Sequence, residues 1–130
     1  MHDPIANMII MIKNAGNAHR PSIVVPYSKI KHAIATTLVN HGYVAKAEKK
    51  TGKNGFATLE VTIAYVGKNP RISGLTRISK PSRRLYASVS EIKQVKNGFG
   101  NMILSTPKGI LTDKEARKEM VGGELLFNIW

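Results

Sequence analysis

Apolar residues recur with two periods along this chain. Ile5, Met8, Ile9 and Ile12 share one face at about 100° per residue, which predicts an amphipathic helix with that face inward. Asp3 and Pro4 open it as N-cap and first helical residue, where the missing proline N–H would have had no partner anyway. Gly16 is the expected stop. A short strand over 22–25 and the link Pro26-Tyr27-Ser28 lead to a second helix over 29–41, with Ile30, Ala33, Ile34 and Leu38 expected on its buried face and Gly42 ending it. The period then falls to two. Residues 43–49 and 56–66 predict strands joined by a Gly- and Lys-rich turn, with Leu59, Val61, Ile63 and Tyr65 alternating with Thr58, Glu60, Thr62 and Ala64, so one sheet face is wet. Gly67-Lys68-Asn69-Pro70 is expected as a linker.

Beyond it the chain is poor in helical pattern. Strands are expected over 72–79 and 85–88, flanking the basic turn Lys80-Pro81-Ser82-Arg83-Arg84, and Asn97-Gly98-Phe99-Gly100 is a turn into the apolar run Met102-Ile103-Leu104. That run is expected to stop at a loop, Ser105-Thr106-Pro107-Lys108-Gly109, in which nothing is apolar. Thr112 with Glu115 three residues on is a capping box, so a short helix begins there and ends before Gly122-Gly123. A last strand follows over 125–130. The pattern predicts an α+β protein. Residues 1–66 form a small N-terminal α/β layer in the order helix-strand-helix-strand-strand. Residues 67–130 form a mostly β C-terminal domain with one short helix.

Charge changes the picture. The chain of 130 residues is 42% hydrophobic, enough for a core, yet carries a formal net charge of +12. Self-repulsion on that scale is relieved by a polyanionic partner. Residues 1–112 hold 17 Lys and Arg against 4 Asp and Glu, whereas 113–130 hold 3 against 4, so the C-terminal helix is not the cationic surface. With no cysteine there is no disulfide framework, thiolate metal site or cysteine nucleophile. No apolar run approaches the roughly 20 residues of a membrane span, and no secretory pattern opens the chain, so a cytoplasmic location is expected.

Candidate chemistry then lies where charges and hydroxyls meet turns. The loop from Ser105 offers the hydroxyls of Ser105 and Thr106, the point charge of Lys108, and close approach at Gly109. Ser28 as N-cap beside Lys29 and Lys31 makes a helix start suited to phosphate. Arg83 and Arg84 would grip phosphates, and Tyr86 either stacks on a sugar or base or packs half-buried in its strand. Lys13 and Asn14 either touch a nucleic-acid backbone or cap their helix, and spacing alone leaves both open. Catalytic apparatus is not visible. Ser105-x-x-Lys108 and Lys50-Thr51-Gly52 match two motifs of penicillin-recognising enzymes, but in the reverse order and without a Ser-Asp-Asn element. The histidines His2, His19, His32 and His41 lack metal-ligand spacing, and no GxxxxGK[ST] or GxGxxG is present, so neither metal nor cofactor is expected.

Several of these stretches together resemble one family. Ser105-Thr106-x-Lys108-Gly109, Thr112-Asp113-x-Glu115-Ala116-Arg117-Lys118, Val121-Gly122-Gly123-Glu124 and the aromatic C-terminus resemble small-subunit ribosomal protein eight in its bacterial form. Asp3-Pro4-Ile5-Ala6, Ser79-Lys80-Pro81-x-Arg83-Arg84-x-Tyr86 and Asn97-Gly98-x-Gly100 match in the same order, so the resemblance spans essentially the whole chain. It implies a structural constituent of the small ribosomal subunit that binds the central domain of its RNA early in assembly, through the C-terminal half, beside neighbouring ribosomal proteins. The contacts it implies are Ser105, Thr106, Lys108, Gly109 and Glu124, the carboxylate accepting from base amino groups or holding backbone N–H groups. Glu124 can instead form a strand-edge salt bridge. The alternative function is a free regulatory protein acting on messenger RNA. The sequence departs from the family pattern at Tyr27 and Pro107, where serine is usual, at Ser82, where glycine is usual, and at Ile10 and Met11, where a polar residue and an arginine are usual. Ile10 and Met11 lie opposite the core face of their helix, and are expected to pack under the loop 17–21 or to meet a neighbouring protein.

Overall fold

The computed structural model describes residues 4–53, 55–92 and 99–130. Asp3 and the Asn97-Gly98 part of its turn lie outside them. The fold is α+β, and the chain clusters into two compact units, 4–72 and 73–130.

In the first unit, α1 (Pro4–Asn17) is followed by β1 (Ser22–Pro26), α2 (Lys29–Asn40), β2 (Val44–Thr51) and β3 (Ala57–Ile63). The three strands form an antiparallel sheet in the order β1-β3-β2. Met8, Ile9 and Ile12 of α1 and Ile34, Ala35 and Leu38 of α2 are buried, as are Leu59, Val61 and Ile63 at alternate positions of β3. The other face of the strands is wet, and there Lys50 of β2 meets Glu60 of β3 at 2.9 Å. The hydrogen bond and charge of Glu60 raise the Lys50 pKa above its ordinary 10.5.

Several expectations are corrected here. The inward stripe of α2 is Lys31, Ile34, Ala35 and Leu38, the i, i+3, i+4, i+7 pattern, with Thr37 beside it. Ile30 is exposed. The aliphatic stem of lysine lets residue 31 take an apolar position in that stripe, which shifts the inward arc away from Ile30. Gly16 does not stop α1, which runs on to Asn17. It is buried, and a Cβ there would lie 2.9 Å from Pro70 Cβ, so the glycine serves close packing. The expected linker is instead half of a hairpin: β4 (Tyr65–Val66) pairs with β5 (Asn69–Pro70) around Gly67, whose φ of +62° suits glycine. Ile10 and Met11 are 53% and 40% exposed. Met11 borders a groove of about 380 Å³ with Ala18, Arg20 and Val24, and the loop does not cover Ile10.

The second unit contains β6 (Leu75–Arg77), β7 (Tyr86–Ala87), a single 3-10 turn (Val89–Glu91), β8 (Asn101–Thr106), β9 (Gly109–Thr112), α3 (Asp113–Glu119) and β10 (Gly123–Ile129). Its antiparallel sheet has the order β6-β10-β8-β9, with β7 also on β10. The last strand is therefore the hub of this unit, paired with β6, β7 and β8. Leu104 of β8, Ala116 of α3 and Ile92 form one core cluster, with Leu111 and Leu125 packed against it.

The capping box of α3 is present, Thr112 Oγ1 accepting from Glu115 N and Glu115 Oε1 accepting from Thr112 N. Asp113, fully buried, binds Arg117 at 3.2 Å and accepts from Met102 N at 3.1 Å, tying the helix start to β8. The helix ends before the glycine pair, as expected, with Met120 as its C-cap in the left-handed region, φ +57°. Those glycines have a different reason. A Cβ at Gly122 would run into the Ala87 carbonyl, and one at Gly123 into the Ser105 carbonyl. The expected strand over 72–79 shrinks to Leu75–Arg77, and that over 85–88 to Tyr86–Ala87.

Candidate nucleic-acid interface

The loop expected from Ser105 to Gly109 is the tip of a hairpin. β8 continues through Ser105 and Thr106, and β9 returns from Gly109 with Thr106 opposite Gly109 and Ser105 opposite Ile110, so only Pro107 and Lys108 lie between the strands. Gly109 has φ +109°, which a side chain would oppose. The Thr106 hydroxyl closes the tip, donating to Gly109 O at 2.8 Å and accepting from Lys108 N at 3.1 Å. Ser105 Oγ has no hydrogen-bond partner among the described residues, so it keeps its donor and both lone pairs. Lys108 Nζ rests 3.1 Å from Glu119, both side chains about half exposed, an exchangeable surface pair.

Across the sheet the register continues from Ile110 and Ser105 to Glu124 of β10 and Tyr86 of β7. Cross-strand partners share a face. Ser105, Glu124 and Tyr86 thus lie in one row, and the two glycines before Glu124 let β10 enter between β7 and β8. Tyr86 is 67% exposed, so the packing alternative does not describe it. Arg84 Nη1 donates to both carboxylate oxygens of Glu124 at 3.3 Å, which realises the salt-bridge alternative for that residue.

The basic turn beside this row is held from below. Lys80 and Arg83 exchange backbone hydrogen bonds at 3.0 Å. Ser79, fully buried, donates its hydroxyl to Leu85 O at 3.1 Å and accepts from Leu85 N at 2.8 Å, while Leu125 of β10 bonds Ser79 N and Leu85 O. The exposed Lys80, Arg83 and Arg84 therefore stand on a closed turn docked to the hub strand. Ser79 was not singled out as functional from sequence. Its partners are six residues on and on another strand, a relation with no local signature.

The remaining candidates belong to the first unit. Ser28 caps α2, its side chain accepting from Lys31 N at 3.3 Å. Lys29 is exposed, whereas Lys31 is 7% exposed, so Lys29 is the open charge at this helix start. Tyr27 packs beside His32 and lies 4.5 Å under Lys49 Nζ. Lys13 is half-buried and Asn14 exposed, with Asn14 O accepting from Ala18 N at 2.9 Å in the last turn of α1.

Fold and site define a small, strongly basic α+β protein with an open row of hydroxyl, carboxylate and aromatic groups between two cationic turns. The chain belongs to a known family: the sequence model described as Ribosomal protein S8 matches residues 3–130. The small ribosomal subunit protein uS8 of Opitutus terrae is 42% identical over 130 residues, 100% of both chains. That of Dictyoglomus turgidum is 47% identical over 128 residues, 98% of this chain and 97% of the relative, and that of Persephonella marina 48% over 135 residues, 98% of each. This is a family of structural ribosomal proteins and not of enzymes.

Proposed function

We propose that the protein is a structural constituent of the small ribosomal subunit, working in the cytoplasm within the ribosome, that binds the central domain of small-subunit ribosomal RNA directly and promotes subunit assembly. The C-terminal half carries the recognition. The observation that supports this most is the row Ser105, Glu124, Tyr86, which puts an unpartnered hydroxyl and an exposed aromatic ring on one sheet face between Lys108 at the hairpin tip and the Arg83–Arg84 turn. Hydroxyls and aromatic faces suit 2′-hydroxyls, base edges and splayed bases of irregular RNA, while the cations take phosphates without reading sequence.

The roles divide accordingly. Ser105 and the Gly109 backbone discriminate, Thr106 closes the tip that presents them, and Lys108, Arg83 and Arg84 neutralise phosphates. In the first unit the start of α2, with Ser28 and the open charge of Lys29, and the end of α1, with Lys13 and Asn14, add backbone contacts, whereas Lys31 is buried. Neither a cofactor, a metal nor a catalytic step belongs to this function. Membership of a ribosomal family favours the subunit component over a free regulator of messenger RNA.

Ser105→Ala tests the division of labour. It is expected to cost about 1–3 kcal/mol on a transcript of the central domain and little on random RNA of the same length. Equal losses on the two RNAs would remove Ser105 from discrimination.

A further inference from the structure

Glu124 is an acid in the middle of a face proposed to meet a polyanion, and a bare carboxylate there would repel phosphate. The structure does not leave it bare. Its side chain is 13% exposed, between Tyr86 and Ser105 in the register, and both oxygens accept from the same nitrogen, Arg84 Nη1, at 3.3 Å. A guanidinium presents its donors in a rigid planar fork. With Nη1 spent on Glu124, Nη2 and Nε of Arg84 have no partner among the described residues, and the Arg84 side chain is 56% exposed. An arginine on a turn has many rotamers, and fixing one end of it before binding reduces the ordering cost of the contact.

We propose that Glu124 is a positioning residue: it acts on RNA through Arg84, holding the guanidinium so that its free edge faces the ligand. This rests on the proposed RNA-binding function and names how one acid contributes to it. The consequence proposed for the pair is in binding, not in stability. It also separates two expectations of opposite sign. If the carboxylate is only a negative charge near phosphate, neutralising it strengthens binding. If it holds Arg84, neutralising it weakens binding although the protein gains a unit of positive charge.

The test is a double-mutant cycle with Glu124→Gln and Arg84→Ala, read as affinity for a central-domain transcript over a range of salt concentrations. Thermal melting serves as the control for folding. In the otherwise native chain Glu124→Gln is expected to weaken binding by about three- to tenfold and to lower the salt slope by about one, as Arg84→Ala does. On the Arg84→Ala background the same change is expected to alter affinity by less than about twofold, because the group it positions is gone. Tighter or unchanged binding by Glu124→Gln overturns the inference, and so does an equal loss with and without Arg84, which would make Glu124 a direct contact. In those cases a native preference for the transcript over random RNA leaves the RNA-binding reading standing. A native chain that shows no such preference sinks the reading and the inference together.

Discussion

Ser105 and Thr106 are adjacent hydroxyls with different work, because one is spent inside the hairpin and the other is not. Their sequence shows two equivalent residues; only the pairing of β8 with β9 distinguishes them. Met120 is a similar case. Nothing in its neighbours announces a left-handed residue, since the glycines two and three positions on looked like the natural helix stop. At φ +57° and 78% exposed, it bears the steric cost of that conformation with little packing in return. Met120→Gly is expected to raise stability by about 0.5–1 kcal/mol in denaturant titration. Glu91 carries a pH dependence. Its carboxylate accepts from Ser88 N at 2.9 Å and from the Ser88 hydroxyl at 2.8 Å, and these bonds, the backbone one first, hold its pKa below the ordinary 4.5. A depressed carboxyl pKa stabilises the fold above the unfolded value, and that contribution is lost as pH falls through the folded value. The melting temperatures of the native chain and Glu91→Gln should therefore differ at neutral pH and converge well below pH 4.5.

Elements were legible where a local rule decided them. The Thr112–Glu115 spacing foretold the cap of α3, and the alternation from Leu59 to Ile63 foretold the half-wet strand β3. β9 escaped because Ile110 and Leu111 are too short an apolar run to signal a strand, and its existence depends on β8 lying beside it. The basic turn was legible as a turn, but its fastening was not, since Ser79 acts through Leu85 and the neighbouring β10. Ser79→Ala is expected to cost about 1–2 kcal/mol by leaving the Leu85 N–H unmatched, while Leu85 O keeps its bond from Leu125 N. By loosening the turn it should also weaken binding to central-domain and random RNA alike, with the discrimination due to Ser105 intact. Calorimetry and parallel titrations of the two RNAs check both parts. A loss confined to the central-domain transcript would mean that the turn reads sequence or shape directly.

At the scale of the whole molecule, the division into an α/β layer and a mostly β part followed from the order of elements, helix-strand-helix-strand-strand and then a stretch poor in helical pattern. The net charge of +12 narrowed the partner to a polyanion. Neither could assemble the row of Ser105, Glu124 and Tyr86, because those residues come from β8, β10 and β7, and their meeting is a property of sheet register. The central claim is that this basic protein recognises the central domain of small-subunit ribosomal RNA with discrimination as well as charge. Titration of the full chain against a central-domain transcript and against random RNA of equal length, each over a range of salt, tests it most directly. Affinity for both is expected to fall with salt, each neutralised phosphate adding about 0.7–0.9 to the slope. The preference for the transcript is expected to be at least about a thousandfold and to survive at high salt. Equal affinity for the two RNAs, or binding indifferent to salt, would contradict the account.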